Sequence, residues 1–204
     1  GDKMHNTITA QVTPLAYRQS SANAPVAICR YGSGRFEPLE TGVYFLGKDK
    51  DGNEQPPQWV CAPLHVIAKT RDEKNGEWGR LLEWRDDDGH IHQWPMPLEL
   101  LEGDGSEVRR ELARLGLQIS PNQSARGLLA AYIKVWPVEA RARCVDRLGW
   151  HGSIFVTPSG SIGEAEELVV FQNSHATEPA YSESGTADNW RDSVADLAVG
   201  NTRL

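Results

Sequence analysis

Disulfide chemistry is the first thing this sequence lacks. Its three cysteines, Cys29, Cys61 and Cys144, are widely spaced, odd in number and without a CxxC pair. That excludes a disulfide framework and a structural zinc site and suits buried thiols in a reducing cytoplasm. No apolar run approaches the roughly 20 residues that cross a bilayer, and no signal-peptide pattern opens the chain, so no membrane partner is expected. A basic excess is also missing, since the formal net charge is -7. A protein built chiefly to coat nucleic acid is usually more basic, because phosphate neutralisation supplies most of its binding energy. A phosphate loop is missing too. GVYFLGKD (Gly42–Asp49) mimics GxxxxGK[ST], but its interior is a bulky strand and Asp49 stands where a hydroxyl should coordinate Mg²⁺.

What is present is an ordinary globular composition, 39% hydrophobic and 24% charged, with unevenly spread charge. Residues 1–100 carry 11 basic and 14 acidic side chains (-3), residues 101–150 carry 8 and 6 (+2), and residues 151–204 carry 2 and 8 (-6). The basic middle is arginine-rich and permits a local anionic contact.

Periodicity predicts an α+β fold. After Gly1, which reads as a scar of tag removal, residues 1–25 form a loosely ordered lead-in, with one short strand at ITAQV. Residues 26–204 form one domain: β-rich over 29–101, helical over 106–136, β again over 141–172, and a last helix over 186–204. The first β region holds two hairpins. GVYFLGK and WVCAPLHVIAKT flank one Asp-Gly turn, and WGRLLEWR and HIHQWPM flank another. Ser106 is the expected N-cap of the first helix, which stops near Gly116, and Pro137 ends the second. The architecture expected is a half-open barrel of antiparallel β-hairpins with a two-helix insert and a C-terminal helix.

Four groups of residues could carry chemistry. His90 and His92 share a strand face beside Asp86–Asp88 and could chelate a metal. A solvated turn looks the same, no third ligand is fixed by spacing, and no metal or other cofactor is expected. Seven tryptophans could stack on bases, although large aromatics are more often core. Strand alternation puts Arg141, Arg143 and Arg147 on one side and Ala142, Cys144 and Asp146 on the other. Cys144, Asp146 and His151 read as parts of a hairpin, because a Cys–His nucleophile needs a base from elsewhere and an oxyanion hole.

WVCAPLHVIAKTRD, WGRLLEWRDDDGHIHQWPMPLELL, RCVDRLGWHGSIFVTPSG, VVFQ and GTADNWRDSVADLAVGNTRL together resemble the bacterial and phage family of domain of unknown function 927, from about Arg35 onward. The resemblance implies a helicase-like P-loop ATPase of phages, plasmids and other mobile elements. Its nucleotide-binding half follows the matching region, so no Walker residue transfers to this sequence. The chain is therefore expected to be a non-catalytic N-terminal accessory domain in DNA replication. Its expected partners are the downstream ATPase module, DNA and a second copy of itself. If it touches DNA, Arg126, Arg141, Arg143 and Arg147 are the expected contacts, with Trp150 stacking. A protein-interaction module without DNA contact is the alternative, and a metal- or thiol-dependent enzyme using His90/His92 or Cys144 is the second.

Overall fold

A computed structural model describes residues 28–157, 160–163 and 167–172. The lead-in over 1–25, the ITAQV strand and the helix over 186–204 lie outside the described residues.

Four strands, β1 (Cys29–Tyr31), β2 (Gly34–Leu39), β3 (Gly42–Leu46) and β4 (Gln58–Cys61), form an antiparallel sheet in chain order. The long β3–β4 connection is organised by Asp49, whose Oδ1 accepts the backbone N–H groups of Asp51 and Asn53 at 2.9 and 2.8 Å. The expected single strand WVCAPLHVIAKT breaks here. Pro63 has no N–H to donate to a ladder, and the Ala62 N–H turns to the Gln118 carbonyl at 2.8 Å. The chain then enters a second sheet as β5 (Leu64–Arg71), followed by β6 (Gly79–Arg85) and β7 (Ile91–Pro97).

A short 3-10 turn (Leu98–Leu101) leads to α1 (Ser106–Arg114) and α2 (Gln123–Val135). Ser106 is not the N-cap of α1. Gly105 takes that place at φ 68°, a conformation glycine reaches without strain, while the Ser106 N–H is held by Asp104 Oδ1 at 2.9 Å. Asn122 caps α2 by accepting the Ser124 N–H. The helices share one core with both sheets. Phe36, Val43 and Val60 come from the first sheet, Leu64, Leu82, Trp84 and Met96 from the second, and Leu112, Leu129, Tyr132 and Ile133 from the helices. Two aromatic side chains also satisfy carbonyls there: Tyr132 Oη donates to Leu64 O at 2.8 Å and Trp84 Nε1 to Leu115 O at 3.1 Å.

After the helices, β8 (Arg141–Val145) returns beside β5 and runs parallel to it, which the intervening crossover allows. Then β9 (Gly149–His151), β10 (Ile154–Thr157) and β11 (Gly160–Ile162) form a small antiparallel sheet. Finally β12 (Leu168–Phe171) pairs parallel to β8. The second sheet is thus ordered β12-β8-β5-β6-β7 and is mixed, where antiparallel hairpins alone were expected. Its two edges come within one side chain of each other: Gln172, just past β12, donates through Nε2 to the Pro95 carbonyl of β7 at 3.1 Å. The sheet is therefore curled into a half-open barrel. Ala68, Leu81 and Ala142 form a small cluster of their own, fully buried, with Ile67, Leu168 and Val170 packed against it. The β9–β11 sheet packs Ile154 and Val156 against Val145, with Val169 and Phe171 of β12 alongside.

Candidate nucleic-acid interface

The strand β8 alternates as its sequence predicts up to Val145, with Ala142 and Cys144 buried, Arg141 exposed and Arg143 half-buried. It ends there. Asp146 and Arg147 lie in the turn to β9, so the expected shared face of Arg141, Arg143 and Arg147 stops at the first two.

Arg143 is a structural crosslink. Its Nε lies 2.8 Å from Glu167 Oε1, and its Nη1 donates to the Asp72 and Glu73 carbonyls and to Asn75 Oδ1 at 3.1–3.3 Å. The second Glu167 oxygen takes Arg71 Nη2 at 2.7 Å, and Arg71 is only 8% exposed. Burial alone would raise the Glu167 pKa, but the bonds from Arg143 and Arg71 outweigh it and hold the carboxyl below its usual range. Neither Arg71 nor Glu167 was among the expected site residues. The signal was the pair of glutamates just before LVVF, which only a known β8–β12 pairing makes readable.

Arg141 places its guanidinium carbon 6.0 Å from the Trp78 ring centroid, and Trp78 is 43% exposed. Arg126 stands exposed on α2, which packs against β4 and β1, a different part of the fold from β9. Arg147 has a side chain 83% exposed and a 3.6 Å contact to Asp146.

The turn carrying Arg147 is pinned from behind. His151 Nε2 donates to the Arg147 carbonyl at 2.8 Å, while its Nδ1 lies 3.5 Å from Glu73 Oε1. Between them Trp150 is 72% exposed, the most open of the exposed large hydrophobics described. The hairpin register sets Trp150 directly opposite Phe155, and Phe155 opposite Ile162. Phe155 and Ile162 are 37% and 43% exposed, so three large apolar side chains line one outward face. The SIFVT alternation points Phe155 away from Ile154 and Val156 and could have identified it.

The other candidates have local partners. Asp86 Oδ2 lies 2.8 Å from His92 Nε2 and 3.4 Å from His90 Nδ1, and its Oδ1 accepts the Asp88 and His90 N–H groups. The His92 hydrogen bond is the chief cause that lowers the Asp86 pKa to about 2. Among the described residues no group of three His, Cys, Asp or Glu side chains is arranged to hold a metal ion. Cys144 is 3% exposed and burial pushes its thiol up to about 11. The near-Walker stretch is β3 followed by the Asp49 turn. Among the described residues no helix is long and apolar enough to cross a membrane.

Comparison with known proteins adds the family. No curated protein sequence matches the chain. A solved structure described as "SCCmec type IV Cch - active helicase" is similar over 87% of this chain and 31% of that one, at 14% identity and a TM-score of 0.46. The chain therefore spans under a third of that helicase's length. The family model for a domain of unknown function, DUF927, matches residues 36–204, and the chain belongs to that family.

Proposed function

We propose that this chain is a non-catalytic accessory domain of a cytoplasmic helicase-like ATPase of mobile elements, one that contributes DNA contact during replication. Membership of the DUF927 family supports the helicase-associated part, through the ATPases that the sequence resembles. The observation that carries the DNA part is the exposure of Trp150 together with that of Arg147, which lies in the turn just before its strand and is fixed there by His151. Aromatic faces next to cations suit nucleic acid, because bases stack and phosphates pair. A buried Cys144 and a His151 engaged elsewhere support the non-catalytic reading. Arg141 and Arg147 are the arginines we assign to phosphate, with Arg126 on a separate surface.

Assembly is the second reading, with the downstream ATPase module or a second copy as partner. It is favoured by the commitment of Arg143 to Glu167 and by the net charge of -7. Fluorescence anisotropy of labelled single- and double-stranded DNA, at low and near-physiological salt, separates the two. Binding that weakens with salt, and whose salt slope falls by about one each in Arg141→Ala and Arg147→Ala, supports DNA contact. Absence of binding at low salt, with a salt-insensitive complex on adding the ATPase half, supports assembly.

A further inference from the structure

The small sheet β9–β11 folds because of its inner face, where Ile154 and Val156 bury themselves against Val145. Its outer face is surplus to that core. Trp150, Phe155 and Ile162 stand on three adjacent strands in direct register, about 5 Å apart from strand to strand. A cross-strand aromatic pair can serve merely to staple a hairpin. A staple gains by being covered, however, and Trp150 is 72% exposed. The Trp150 and Phe155 rings meet edge to face, centroids 5.3 Å apart at 67°. Such a contact occupies at most one face of either ring and leaves the remainder open to a flat partner.

We propose, building on the DNA reading above, that Trp150, Phe155 and Ile162 form a stacking surface for unpaired bases of single-stranded nucleic acid, with Arg147 at its edge taking a phosphate. Charge selects the single strand over the duplex. The adjoining turn carries one arginine against one aspartate, Asp146, and Arg143 is committed to Glu167. Duplex binding draws mainly on phosphate neutralisation, which this balance cannot supply. Stacking draws on ring faces, which every base presents. It also needs bases already out of a helix. His151 is a positioning residue here: its bond to the Arg147 carbonyl fixes the turn that carries Arg147 into the strand of Trp150.

The test is anisotropy of a labelled oligo-dT of about 15 nucleotides and of a duplex of equal length, titrated with the 204-residue chain and its variants. Trp150→Ala and Phe155→Ala should each weaken oligo-dT binding by roughly 5- to 100-fold, and Trp150→Tyr should retain most of it. Thermal unfolding midpoints of the Trp150 variants should match the parent, since that side chain lies outside the core. His151→Ala should weaken binding less than Trp150→Ala while lowering the salt slope, as Arg147→Ala does. If both DNAs bind and only the arginine variants matter, the stacking surface is overturned and the DNA reading survives. Should neither DNA bind, both fall together. Concentration-dependent self-association that Trp150→Ala abolishes, without oligo-dT binding, would assign the face to a second copy instead.

Discussion

Arg143 and Glu167 meet at 2.8 Å across the parallel pair β8–β12, and that contact decides what Arg143 is for. Glu167 precedes β12 and simultaneously holds Arg71 of β5 at 2.7 Å. One carboxylate therefore ties the last described strand to its neighbour β8 and, beyond β8, to β5.

Removing that carboxylate should be costly. Glu167→Ala leaves Arg71, with a side chain only 10% exposed, without its ionic partner. The expected loss is about 2–3 kcal/mol, below the range for a fully buried pair because Glu167 is part-exposed. Arg143→Ala should cost a similar amount, the double variant should cost less than the sum, and Arg147→Ala should stay within about 0.5 kcal/mol. Urea denaturation measures all four. Equal, negligible effects in Arg143→Ala and Arg147→Ala would refute the crosslink.

Acid should weaken the fold through the same kind of contact. Asp86 sits at about 2, chiefly because of the His92 hydrogen bond, and Glu167 is held below its usual range by its two arginines. Both folded values are depressed, so both contributions are complete above the unfolded values of about 4 and fade as pH falls toward 2. The stability gap between the parent and Asp86→Asn should therefore narrow between pH 6 and pH 3, read from urea midpoints. An unchanged gap would show that Asp86 gains nothing from being charged in the fold.

Thiol chemistry offers a third check, on the enzyme alternative. Burial pushes Cys61 up to about 12 and Cys144 up to about 11, and Cys29 is raised as well by its burial. At neutral pH all three should be protonated and slow toward a thiol reagent in native buffer, yet react fully in guanidinium. One fast native equivalent, lost in Cys144→Ser, would revive a nucleophilic role.

Several elements were legible because they depend on near neighbours. The Asp-Gly turn of the DDDGHIH hairpin, the second helix ended by Pro137 and the alternation of β8 all follow from residues within a few positions. The capping error at Ser106 has a local cause as well: Gly105 reaches φ 68° and Asp104 already supplies the carboxylate. The break at Pro63 was missed because its replacement partner, Gln118, lies more than fifty residues away.

For the candidate interface the division is similar. Trp150 and the alternation that turns Phe155 outward were readable in WHGSIFVT, whereas the spending of Arg143 was not. An arginine in sequence is only a charge, and its role depends on which carboxylate the fold delivers to it.

By itself, then, the sequence determined the α+β class, the hairpins, the helical insert and the burial of Cys144, because period, turn chemistry and propensity act within a few residues. Tertiary structure alone decided that β8 runs parallel to β5 and β12 parallel to β8, that the sheet curls until Gln172 reaches Pro95, and that Arg143 is bound while Trp150 is open. Those outcomes depend on partners as far apart in sequence as Lys69 and Arg141 or Pro95 and Gln172, and no local pattern encodes such a partner.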